Sequence, residues 1–75
     1  MPRRARSLTY FGENVRKMRG VSGLTQVRLG DKADLDPTYI SGIERGVRNP
    51  SLLIISKLAK VLGVPVAKLC EGVRE

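Results

Sequence analysis

Asp36-Pro37 is the clearest helix-start signal in this chain, and it constrains the fold more than any other pair of residues. Aspartate caps a helix N-terminus by accepting from an orphan backbone N–H, and proline suits the first helical position. The helix it opens runs through Thr38, Tyr39, Ile40, Ser41, Gly42, Ile43, Glu44 and Arg45, and Gly46 stops it. Upstream, Thr25 is a second strong N-cap, with Leu24 before it as an apolar staple, for a helix over about Thr25–Lys32. Leu29 and Ala33 face inward by spacing. Gly30 sits mid-helix, where it costs up to about 1 kcal/mol against alanine, so the spacing predicts another helix crossing there with no room for a Cβ. Asp34 ends this helix in place of the usual glycine, since aspartate tolerates the left-handed conformation better than most residues. Two short helices thus meet across a tight polar turn and leave through a loop, Val47 to Pro50, that carries Arg48 and Asn49.

On the rest of the chain the apolar residues also recur at helical spacing. Phe11, Val15 and Met18 share one face of a first helix that starts at Thr9 or Tyr10 and loosens at Gly20–Gly23. Ser51 caps a fourth helix with Leu52, Leu53, Ile55, Leu58, Ala59 and Leu62, which Gly63 ends. Pro65 opens a short fifth helix with Val66 and Leu69, and Val73 follows. No strand pattern, repeat or low-complexity stretch interrupts this order. The expectation is an all-α domain over residues 9–75, built from five short helices. Residues 1–8 read as a basic arm containing Arg3, Arg4 and Arg6, either tracking phosphates or simply solvated.

The chain has 75 residues, 14 Lys and Arg against 7 Asp and Glu, and a net charge of +7. Such a bias in a small domain favours a polyanionic partner, nucleic acid before anionic lipid. A domain of this length buries only about 60% of its unfolded surface, so pairing with a second copy would help it. With no histidine and only Cys70, neither an internal disulfide nor a zinc site can form, and no nucleophile–base pair or glycine-rich phosphate loop is present. An enzyme is therefore the weakest reading, and no cofactor, metal or small-molecule ligand is expected. The longest apolar run, Leu52 to Ile55, is too short to span a bilayer, no segment joins a broad apolar stripe to a basic face, and the N-terminus lacks a signal-peptide core. The expected compartment is the cytoplasm, with no membrane partner.

Two short helices around a tight turn on a basic chain have the sequence shape of a helix-turn-helix, a device that lays its second helix in the DNA major groove. That helix is predicted to turn Ile40 and Ile43 inward with Leu35, leaving Pro37, Thr38, Ser41, Gly42 and Arg45 outside. A merely solvated face would carry long charged side chains. Short ones let the backbone approach another surface closely.

The strings Leu24-Thr25-Gln26, Tyr39-Ile40-Ser41, Ile43-Glu44-Arg45-Gly46 and Arg48-Asn49-Pro50-Ser51, in register, carry a resemblance. From about Phe11 to Leu69 the chain resembles the Cro/repressor, or Xre, helix-turn-helix superfamily, and the run from Leu35 to Leu52 is most similar to the controller proteins of restriction–modification systems. The resemblance implies a compact lambda-repressor-like five-helix domain that binds double-stranded operator DNA as a two-fold homodimer and regulates transcription. An antitoxin that covers a toxin and represses its own operon is the alternative.

The resemblance also implies residue roles. Gln26 contacts a phosphate at the start of the second helix, aided by Thr25 and the backbone N–H groups there. Thr38 and Ser41 face the bases. Pro37 departs from the family, which often places a long polar or basic reader there, and Gly42 also lacks a reader, so part of the specificity falls to DNA bending and groove width. Tyr39 points its hydroxyl at a phosphate, covers the core with its ring, or does both. Arg48 and Asn49 contact DNA from the loop. Arg45 either reaches DNA or complements the helix C-terminus. Arg19 and Glu44 form a partly buried ion pair between the first and third helices, which makes Arg19 structural, whereas Arg16, Lys17 and Arg28 are exposed. Leu53, Ile54, Val64, Val66 and Leu69 are the candidates for the dimer seam, unless they fill the core, and Cys70 nearby is a small interface or core filler and not a redox switch.

Overall fold

The computed structural model describes residues 5–75, and among them every regular element is a helix: α1 (Arg6–Val21), α2 (Gln26–Ala33), α3 (Pro37–Glu44), α4 (Leu52–Leu62) and α5 (Val66–Leu69). Caps set the boundaries of the three central helices. Thr25 Oγ1 accepts from Arg28 N at 3.0 Å, Asp36 Oδ1 from Thr38 N at 2.7 Å and Ser51 Oγ from Ile54 N at 3.2 Å. Such a cap contributes about 0.5–2 kcal/mol. α2 closes at Asp34, which adopts φ 57° and ψ 48°. It is the one non-glycine residue with positive φ among those described. Its short polar side chain tolerates this conformation better than most others would.

α3 packs against both α1 and α2, while α4 and α5 close the far side. Val15, Leu29, Ile40, Ile43, Leu58 and Leu69 are fully buried, and Phe11, Ala33, Ala59 and Leu62 complete the core. Burying one such aliphatic side chain contributes about 1.5–3 kcal/mol. The backbones of α1 and α3 approach most closely at Gly12, where a Cβ would collide with the carbonyl oxygens of Ile43 and Glu44. The predicted crossing at Gly30 is of a different kind. A Cβ there would strike the carbonyl of Leu35, so Gly30 makes room for the turn of its own motif and not for another helix.

Three expectations need correction. α1 begins at Arg6, not at Thr9 or Tyr10, so Arg6, Ser7 and Leu8 are helical and not part of an arm. The cause is remote: Ala5 offers no side-chain cap, and the Glu75 carboxylate supplies one by accepting from Ser7 N at 2.9 Å. Ala5 is the extended N-cap, and residues 1–4 of the expected arm, Arg3 and Arg4 included, lie outside the described residues. Leu69 is fully buried against the core, so it fills the domain and offers no surface to a second copy. Cys70, expected as an interface or core filler, is exposed and so does not fill the core.

Asn14 ties α5 down, donating from Nδ2 to the carbonyls of Leu69 and Glu71, each at 2.8 Å. It lies on the same stripe as Phe11, Val15 and Met18, and a polar residue on an apolar stripe was the one sequence signal of this bond. No helix among the described residues is long and apolar enough to cross a membrane.

Candidate nucleic-acid interface

The surface around α3 is held from behind by one polar knot. Arg19 on α1 meets Glu44 at the end of α3 through two bonds, Nε to Oε2 at 2.6 Å and Nη2 to Oε1 at 3.0 Å. Its remaining nitrogen donates to the Leu24 carbonyl just before α2, at 2.9 Å. Gln26 Nε2 donates to Glu44 Oε1 at 3.1 Å. One carboxylate therefore joins α1, the start of α2 and the end of α3. The Glu44 side chain is 4% exposed and that of Arg19 18%, so water competes little for this fork. Hydrogen bonding to Glu44 raises the Arg19 pKa above its ordinary value, against the opposing effect of burial, and the Glu44 charge adds to the rise. Arg19 is thereby a permanent cation turned inward.

Pro37 and Thr38 stand exposed on the first turn of α3. The Thr38 backbone N–H is taken by Asp36, and its hydroxyl has no partner among the described residues. Ser41 follows one turn later, half-buried, its Oγ accepting from Arg45 Nε at 3.3 Å. Arg45 is the C-cap of α3 and is exposed. Ile40 and Ile43, on the opposite side, are sealed in the core. Tyr39 is half-buried, its ring packed on the core, with the Arg48 guanidinium carbon 5.8 Å from the ring centroid. Arg48 and Asn49 are exposed in the loop, and Thr25 is exposed at the start of α2. Arg16, Lys17 and Arg28 are exposed as well.

Two placements differ from expectation. Gly42 does not lie open on the outer face: it is buried beneath the side chain of Arg48, whose Cγ would sit 2.7 Å from a Cβ built there. Gln26 does not simply project into solvent. It is half-buried and spends one amide hydrogen on Glu44, leaving the other for an outside acceptor. The structure thus brings Thr25, Pro37, Thr38, Ser41, Arg45, Arg48 and Asn49 to exposed or half-exposed positions on α3 and its flanks, and withdraws Gly42 from that set. Of the seam candidates, Leu53 is strongly exposed, while Ile54, Val64 and Val66 are half-buried around the core. Leu52, beside Leu53, is exposed to a similar extent. Among the described residues no group of histidine, cysteine or acidic side chains is arranged to hold a metal ion.

Comparison with known proteins agrees with this geometry. The helix-turn-helix family model HTH_3 matches residues 15–69. The control protein C.BamHI of Bacillus amyloliquefaciens is 51% identical over 55 residues, which cover 72% of this chain and 68% of that protein. Among solved structures, the restriction–modification controller protein C.AhdI of Aeromonas hydrophila superposes with a TM-score of 0.81 at 42% identity, covering 83% of this chain and 94% of that one. SinR, a master regulator for biofilm formation solved in complex with DNA, does so with a TM-score of 0.76 at 33% identity, over 79% of this chain and 95% of that one. These relatives favour the control-protein reading over the antitoxin one. The chain belongs to the helix-turn-helix family of DNA-binding transcriptional regulators and stands close to the control proteins of restriction–modification systems.

Proposed function

We propose that this protein regulates transcription as a homodimer on a two-fold symmetric operator, each protomer laying α3 in one major groove. The observation that carries the reading is the asymmetry of α3: Ile40 and Ile43 are sealed and Glu44 is locked from behind, while Pro37, Thr38, Ser41 and Arg45 face away from the core. Thr38 and Ser41 hydrogen-bond base edges, and the threonine methyl meets a thymine methyl. Pro37 contributes shape and apolar contact only. Tyr39, Arg48 and Asn49 grip phosphates on one side of the groove. Thr25 and the second amide hydrogen of Gln26 do so at the N-terminus of α2, where the helix dipole favours an anion. With so few side chains able to read bases, DNA shape supplies part of the specificity.

The second copy docks on the apolar face formed by Leu52, Leu53, Ile54, Val64 and Val66, and the two half-sites are expected about 34 Å apart, one helical turn. The protein works in the cytoplasm, where its operator lies, and performs no catalysis.

Selecting bound duplexes from a random pool, followed by footprinting, tests this. The expected result is a two-fold symmetric motif with two protected tracts one turn apart. Affinity should also fall steeply with salt, by about 10³–10⁵ between 50 and 200 mM for six to ten phosphate contacts. No protected tract, or an affinity indifferent to salt, overturns the reading.

A further inference from the structure

Arg48 belongs to the loop after α3, yet its side chain lies across α3 itself. The contact is made where α3 has no side chain. A Cβ built on Gly42 would lie 2.7 Å from Arg48 Cγ, 3.3 Å from Nε and 3.5 Å from Cδ, so the whole stem of the arginine occupies the space that any other residue would fill. The guanidinium then comes to rest 5.8 Å from the centre of the Tyr39 ring, within reach of a cation–π attraction. Gly42 has no other evident reason to be glycine. It lies in the body of α3, where alanine is favoured, and it lacks the positive φ of Gly23, Gly46, Gly63 and Gly72. Gly12 and Gly30 differ from it again, because what a Cβ would meet at those two is backbone carbonyl.

We propose that Gly42 is a positioning residue: by carrying no side chain it seats the Arg48 stem across α3 and so fixes the Arg48 guanidinium beside Tyr39 on the DNA-facing side of the helix. This rests on the reading that α3 enters the major groove. A free arginine must give up several rotamers to hold one phosphate, and the seat removes much of that loss before DNA arrives. A cation that a longer side chain on α3 would otherwise provide is delivered by the loop. The backbone of α3 is pinned at both ends, so an added methyl group at position 42 moves the arginine and not the helix.

The test is a double-mutant cycle on the duplex selected by the intact protein, with Gly42→Ala, Arg48→Ala and the two combined. The expected result is that Gly42→Ala weakens binding about as much as Arg48→Ala, on the order of tenfold, and that the double variant loses no more. Arg48→Ala and the double variant should show a salt slope reduced by about one, the signature of one lost phosphate contact. Gly20→Ala, which places a methyl group in open space on α1, should bind as the intact protein does. Wild-type affinity in Gly42→Ala, losses that multiply in the double variant, or no loss in Arg48→Ala overturns the proposal while leaving operator binding intact. Should the intact protein bind no duplex, the α3 reading itself falls. In either case the seat is decided in the free protein by nuclear Overhauser contacts between the Gly42 α protons and the Arg48 γ and δ protons. Their presence supports it, and their absence overturns it even if a variant fails to fold.

Discussion

Glu44 is the residue on which most depends. It is a buried carboxylate that accepts from Arg19 twice and from Gln26 once, so it holds three helices by their ends. The pair need not stabilise the fold relative to an apolar substitute, but removing one partner leaves the other charge buried without compensation, at a cost of about 3–5 kcal/mol. A domain of this class has only about 5–15 kcal/mol in total. Glu44→Ala is therefore expected to unfold the protein or lower its melting temperature severely, and an unchanged thermal transition would show the knot to be dispensable. At this scale the sequence was legible where a resemblance named a role, as for Arg19 and Glu44. It was not legible where two side chains meet through a residue with none. Nothing local to Gly42 announces that Arg48 lies on it, because the contact is made by a loop whose path depends on where α3 stops.

The three central helices were readable almost to the residue because each carries its own start signal: Thr25, Asp36 and Ser51 all cap as their chemistry dictates. The start of α1 was not, because its cap arrives from the far end of the chain. Glu75 accepts from Ser7 N while Arg74 stacks over the Tyr10 ring with its guanidinium carbon 4.6 Å from the centroid. Hydrogen bonding from Ser7, through its side chain first and its backbone N–H second, holds the Glu75 carboxyl below its ordinary pKa. A depressed carboxylate pKa means that the clasp is fully present above the unfolded value and is lost as pH falls through the lower folded one. Acidification to below the ordinary glutamate range is thus expected to free the first turn of α1, and Glu75→Gln to weaken it at neutral pH. Lower protection of the Ser7 and Leu8 amides, relative to their intrinsic exchange rate at each pH, would report both, and protection that ignores pH and substitution would refute the clasp. Gly30 shows the same limit from the other direction: a missing Cβ is visible in the sequence, but whether a helix or a turn needs the space depends on packing.

For the whole molecule, among the described residues two adjacent leucines stand in solvent, Leu52 and Leu53, 69% and 66% exposed at the start of α4. A charge at Leu53, which the core does not use, would oppose pairing through the proposed seam. Leu53→Asp is accordingly expected to sediment as a monomer with an intact helical spectrum and to bind operator half-sites singly and weakly. Sedimentation unchanged from the parent protein would move the seam elsewhere. Periodicity could not separate the dimer candidates from the core, because Leu53 and Leu69 are the same residue type at helical spacing, and only packing shows one in solvent and the other sealed.

The exposure of Pro37 and Thr38 carries a last consequence. Neither side chain supports the core, the capping of α3 comes from Asp36 beside them, and the helix is anchored by residues on its other side. On the proposed reading, frame and alphabet are therefore separable at Thr38: the letter there can be rewritten to address a different operator, while Pro37 also serves the frame as the first residue of α3.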